Sequence, residues 1–222
     1  MRQAQATLKT AESLDSYESA CSSCPINSKA RTFCQYIAWQ DQSLSAKALT
    51  AAAAAKAAAA AAKDITVVIL SPSAEGGMPH TRPPNVICLP AYFPEESLAE
   101  TMEHELVHID QRKNPQAWRE KLAAHGWTPA SHEEIPQQWR SRVRINPDTH
   151  AAQFWKWAGR YIPLPLFERE DKPVLREISV RWWDTLDQRL NSQPPTSFTQ
   201  KYGSMAASSM EHPYELYAYH NR

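Results

Sequence analysis

Two short β-branched runs and one long amphipathic stretch dominate the hydrophobic pattern of the chain. Ile65-Thr-Val-Val-Ile-Leu70 ends at Ser71-Pro72 and reads as a buried strand. Asn85-Val-Ile-Cys-Leu-Pro90 reads as a second strand. Ser71 to Pro84 lies between them and holds Gly76-Gly77 and four prolines, so it predicts a loop. Pro94-Glu-Glu-Ser97 then opens a helix, because Glu95 and Glu96 suit the positive end of a helix dipole. That helix is predicted over 95–113 and closes at Asn114-Pro115.

On either side the pattern predicts mostly helices. Arg2 to Ser22 fits a polar helix, and Ser28 to Gln40 a second one with Phe33, Tyr36, Ile37 and Trp39 on its buried side. Ala46 to Lys63 is Ala-rich, which favours a helix. It offers no bulky face to bury, which predicts a solvated connector. Downstream, Trp118 and Leu122 lie at helical spacing in Pro115 to Ala124. The same spacing holds for Ile135, Trp139 and Val143, and for Ile178, Trp182 and Leu186 in Leu175 to Leu190. His150 to Tyr161 is aromatic and amphipathic, and a last helix is predicted from Pro213, since Pro suits a first helical position. The expected class is α+β, with a helical extension over 1–63 and a domain over 64–222. That domain should have a small sheet beside the 95–113 helix and a largely helical C-terminal part.

Charge and composition narrow the function. With 24 basic and 24 acidic residues the formal net charge is zero, which argues against a protein built to grip nucleic acid. Five glycines and no GxGxxG or GxxxxGK[ST] pattern argue against a phosphate-cradling loop. The first thirty residues lack an apolar core, and no apolar run approaches membrane-spanning length. An intracellular, cytoplasmic location with no membrane span is the default expectation. The aromatic residues Trp118, Trp139, Phe154, Trp155, Trp157, Tyr161, Trp182 and Trp183 are expected to be core. Cys21, Cys24 and Cys34 cluster near the N-terminus. They leave three readings open: a zinc site lacking an evident fourth ligand, a redox pair or disulfide, or plain thiols.

The chemistry concentrates in His104-Glu105-Leu106-Val107-His108. On a helix, positions four apart share a face, so His104 and His108 aim two imidazoles at one point. Glu105 lies about 100° further round the axis, within reach of a water held there. Two imidazoles and an open position suit a single zinc ion, which lowers the pKa of its water and polarises a carbonyl. Glu105 is then the general base, taking a proton and handing it to a leaving amine. The plainer alternative is two surface histidines on an amphipathic helix.

These residues, with the strand, loop, strand, helix order from Ile65 to Lys113, resemble the zincin superfamily of metallopeptidases. The resemblance covers about fifty residues. It implies a zincin-like fold, one Zn2+, a peptide or protein substrate and hydrolysis of a peptide bond. It also implies that Asn85 to Pro90 is the strand that pairs with extended substrate. Metzincins add a Gly and a third His after the motif, but Gln111 and Asn114 stand at those positions. Gluzincins take a Glu from a later helix, and the best match is Glu215 in Pro213-Tyr-Glu-Leu-Tyr-Ala218. Glu215 and Ala218 resemble the Glu-x-x-Ala pattern of gluzincin-like third ligands. Tyr219 departs from it, because the best-known members carry Asp there. His132, Glu133, His150 and His220 are the other candidates for the third ligand.

Tyr219, His220, His80 or Arg82 could stabilise an oxyanion, and Asp110 could orient a ligand imidazole. Residues 1–63 could be an inhibitory prosegment with Cys21, Cys24 or Cys34 on the metal. Two further readings compete with an enzyme. One is a catalytically inactive zincin-fold binding or scaffold protein, and the other is a helical interaction protein with an accidental HExxH.

Overall fold

Val67 to Leu70 and Val86 to Leu89 alternate their side chains across a sheet, and each face is covered by helices from the same half of the chain. In the computed structural model the described residues are 2–55 and 64–220. They make a mixed α+β fold with ten α-helices and two small sheets among the described residues. The chain divides into two compact units, one ending at Asn114 and the other spanning Pro115–His220.

The first unit runs α1 (Arg2–Asp15), α2 (Tyr17–Ser23), α3 (Pro25–Ala30), α4 (Gln42–Ala54), β1 (Thr66–Leu70), β2 (His80–Arg82), β3 (Val86–Pro90) and α5 (Leu98–Lys113). Strand order is β1-β3-β2, with β1 and β3 parallel and β2 antiparallel to β3. The register sets Val68 beside Cys88 and His80 beside Cys88 from the other side. One face, with Val68, Leu70, Val86 and Cys88, packs on Leu8 of α1. The other, with Ile69, Ile87 and Leu89, packs on Leu44, Ala48 and Ala52 of α4 and on Leu98, Met102, Leu106 and Ile109 of α5.

Several sequence expectations change here. The helix over 2–22 is broken at Ser16, whose backbone is left-handed (φ 52°). No helix spans 28–40: α3 ends at Ala30, and the following segment bridges to β1 through Ala38 and Leu70. Trp39 N–H donates to Ile69 O at 2.7 Å and Ser71 N–H to Ile37 O at 2.9 Å. Extended pairing therefore replaces the helix, and Phe33, Ile37 and Trp39 are exposed. The Ala-rich segment is not a solvated connector over its described part. Leu44, Ala48 and Ala52 of α4 are buried one turn apart, and small methyl groups let α4 seat closely. The remainder of that prediction, 56–63, lies outside the described residues. The loop between the strands contains β2, which the prolines had masked. β3 is the central strand, bonded on both sides, so it has no edge to offer a substrate.

Arg82 on β2 ties α1 and α2 to the sheet. Its side chain is fully buried and donates to Asp15 through Nε (2.7 Å) and one NH2 (2.8 Å), and to Glu12 at 2.9 Å. It also donates to Tyr36 Oη at 3.0 Å and lies 4.9 Å from the Tyr17 ring centre. A buried cation needs such partners, and losing one member of a buried pair costs about 3–5 kcal/mol. Arg82→Met, which removes the cation and strands Asp15, is expected to lower the urea-unfolding free energy by about that amount. A midpoint matching the parent would refute the assignment.

The second unit runs α6 (Pro115–Ala124), β4 (Trp127–Pro129), α7 (Gln137–Arg140), β5 (Trp155–Trp157), β6 (Tyr161–Phe167), β7 (Ile178–Asp184), β8 (Arg189–Asn191), α8 (Thr196–Tyr202), α9 (Ala207–Met210) and α10 (Pro213–His220). Its five strands form an antiparallel sheet in order β4-β5-β6-β7-β8. The largely helical C-terminal part is therefore corrected: 155–157 and 178–184 are strands. Trp127, Trp157, Trp182 and Phe198 stack on one face, with centroids 4.8–6.4 Å apart. Ile162, Leu164, Leu166 and Trp183 pack with Ile135, Val143 and Phe154 on the other. The tryptophans at 118, 155, 157, 182 and 183 are buried, as expected of core residues. No helix among the described residues is long and apolar enough to cross a membrane.

Candidate metal centre

Helix α5 owes its orientation to its two faces. Leu98, Met102, Leu106 and Ile109 hold one side against the sheet. At about 100° per residue, His104, His108 and Gln111 fall together on another side, and Glu105 falls between the two. His108 and Glu105 are buried, 1% and 2% exposed, while His104 is half-buried.

The two imidazoles converge. Their Nε2 atoms are 3.0 Å apart and the ring planes stand at 72°. Two nitrogens on one tetrahedral zinc, each at about 2.0–2.1 Å, are separated by roughly 3.3 Å. The pair is therefore within ~0.3 Å of a chelating separation. His108 Nδ1 lies 2.7 Å from Gln111 Oε1. A carboxamide oxygen can only accept, so Nδ1 donates, and a neutral His108 ring then presents its Nε2 lone pair toward His104.

Glu215 occupies the first turn of α10 and is buried. Pro213 starts that helix where its missing N–H costs nothing. Asn146 Nδ2 donates to Glu215 Oε1 at 2.9 Å and to Glu211 Oε1 at 2.8 Å. Arg144 pairs with Glu211 and also donates to Leu175 O at 3.0 Å. Burial raises the Glu211 carboxyl above its usual range against the pull of Arg144, and the neighbouring Glu215 charge raises it further.

His104 and His108 offer two imidazole nitrogens in the first unit, and Glu215 offers a buried carboxylate in the second. Imidazole nitrogens and a carboxylate oxygen are donor types that suit zinc. The burial of His108 and the orienting contact from Gln111 fit that use.

The other candidates lie elsewhere. His132, Glu133 and His220 are exposed and His150 is half-buried. His80 and Arg82 are buried in the first unit, with His80 Nε2 2.7 Å from Tyr36 Oη. Arg82 is engaged by carboxylates, which fits anchoring rather than oxyanion binding. Asp110 accepts from Asn114 Nδ2 at 2.8 Å, and Gln111 takes the place foreseen for it beside His108. The four cysteines are free thiols, and burial pushes Cys21 up to about 11, away from the reactive thiolate.

Gln111, Asn146, Arg144 and Glu211 carried no sequence signal as site residues. Gln111 was detectable in principle, since it lies three positions after His108 on the same face. Asn146 lies in a loop whose path no periodicity predicts. Comparison with protein-family models, curated proteins and solved structures finds no match to this chain.

Proposed function

We propose that the chain is a zinc-dependent metallopeptidase of gluzincin-like type, with His104, His108 and Glu215 as ligands and Glu105 as general base. The convergence of the His104 and His108 imidazoles, whose Nε2 atoms are 3.0 Å apart, carries this reading. Near-complete burial of Glu105, one residue from His104, is the second support.

A zinc ion bound there would supply Lewis acidity, lowering the pKa of water and polarising a carbonyl. Glu105 takes the proton from the attacking water and passes it to the departing amine. Gln111 keeps the His108 lone pair in place through Nδ1–H, and Asn146 holds one oxygen of Glu215. The substrate is a peptide or protein.

Metal content tests the ligand set directly. The purified protein should hold one equivalent of zinc, and His108→Ala and Glu215→Ala should each hold far less after dialysis. Elemental analysis reads this without any substrate. Wild-type protein that takes up no stoichiometric zinc would end the proposal.

A further inference from the structure

Two primary amides, Gln111 buried and Asn146 half-buried, touch the proposed ligands, and they do so with opposite polarity. The oxygen of Gln111 accepts from His108 Nδ1 at 2.7 Å. The nitrogen of Asn146 donates to Glu215 Oε1 at 2.9 Å. Gln111 is 1% exposed, and Glu211, which shares the Asn146 amide, is 4% exposed. Each contact has only one workable direction. A neutral imidazole whose Nε2 faces a metal has only Nδ1–H to give, and a carboxylate only accepts.

From this we infer that Gln111 and Asn146 are positioning residues of the metal centre, one required as an acceptor and the other as a donor. The inference rests on the metallopeptidase reading and goes beyond it by assigning which atoms outside the ligand set hold the ligands. Asn146 is itself fixed. Its Nδ2 also reaches Glu211 Oε1 at 2.8 Å, and Glu211 is held by Arg144. The Arg144–Glu211–Asn146–Glu215 chain therefore transmits a fixed side-chain orientation to the ligand oxygen. On that reading Glu215 rather than Glu211 is assigned to the metal, because Arg144 already engages Glu211 through a charged, buried pair. Both orienting groups are uncharged, so they set direction without adding charge beside the metal.

The polarity rule makes opposite predictions for two acid substitutions. Gln111→Glu keeps an acceptor facing His108 Nδ1 and should retain zinc affinity, whereas Gln111→Met should weaken it by about 10–100-fold. Asn146→Ala should weaken zinc by a similar factor, and Asn146→Asp by more, because it turns the donor into a third carboxylate.

The measurement is a competitive titration of zinc against a chromophoric chelator on full-length protein. The cobalt-substituted visible spectrum reports coordination geometry. Metal-free thermal unfolding separates loss of fold from loss of site, and Asn146→Leu, which also removes the donor and should weaken zinc, stands in should Asn146→Asp not fold. Zinc affinities within twofold of wild type for Gln111→Met and Asn146→Ala would overturn the inference. So would equal losses for Gln111→Glu and Gln111→Met. Failure of the wild type to bind zinc would instead defeat the underlying reading.

Discussion

Glu105→Gln is expected to retain one equivalent of zinc while peptide hydrolysis falls by about 10²–10⁴-fold, the contribution of a positioned general base. Glutamine matches glutamate in size, so the buried site next to His104 keeps its packing. It cannot accept a proton at neutral pH, which isolates the chemical step from metal binding. The experiment pairs elemental analysis with turnover of a quenched-fluorescence peptide library. Full activity in the variant would remove Glu105 from the mechanism. Zinc in wild-type protein with no cleavage of any library member would favour a catalytically inactive binding protein.

Deleting residues 1–63 is expected to abolish folding of the first unit rather than to raise activity. The deletion removes Leu8 and Ala11 of α1, 1% and 0% exposed, and uncovers Val68, Val86 and Cys88. On the other face it removes Leu44, Ala48 and Ala52 and uncovers Ile69 and Ile87. It also strands the buried Arg82 without Glu12 and Asp15. Each fully buried large side chain is worth about 1.5–3 kcal/mol, and a domain has only about 5–15 kcal/mol in total. The truncated chain should be insoluble or show no cooperative melting transition by circular dichroism. A soluble truncation with higher hydrolysis would restore the idea of a removable inhibitory segment.

The first unit was legible where one period dominated. β1, β3 and α5 fall within a few residues of their expected bounds, because β-branched runs and a long helix with an acidic start leave little competition. The 34–39 segment was not legible. Its aromatic residues fit a helix face, and nothing local announces that Ala38 will meet Leu70.

The second unit was misread for a specific reason. Ile178, Trp182 and Leu186 are four apart, and four is close to one helical turn and also two strand repeats. The structure chooses the strand, leaving Leu186 exposed beyond it. Pro163 and Pro165 lie inside the strand Tyr161–Phe167. They are tolerated because their backbones point away from β7, and Pro165 O accepts from Arg144 N–H at 2.8 Å. For the candidate site, His104, Glu105, His108 and Glu215 were readable from residue type and spacing. The amides beside them were not, since carboxamides serve every kind of contact and reveal a role only in place.

Helix α4 bears on α5 and the sheet through side chains that are almost all single methyl groups, with Leu44 the one large exception. Such a stripe has no rotamers to freeze, so the support behind the HExxH helix is stiff at little entropic expense. It also carries scant information about alignment, because one alanine looks like the next. Alignment must come from the start of the helix, where Asp41 caps Leu44 N–H at 2.9 Å and Leu44 enters the core. Losing one residue between Leu44 and Ala48 would turn Leu49 inward, where only a methyl group fits. A tract that looks repetitive and dispensable is thus keyed at one end, and its length there is a property of the HExxH helix it supports.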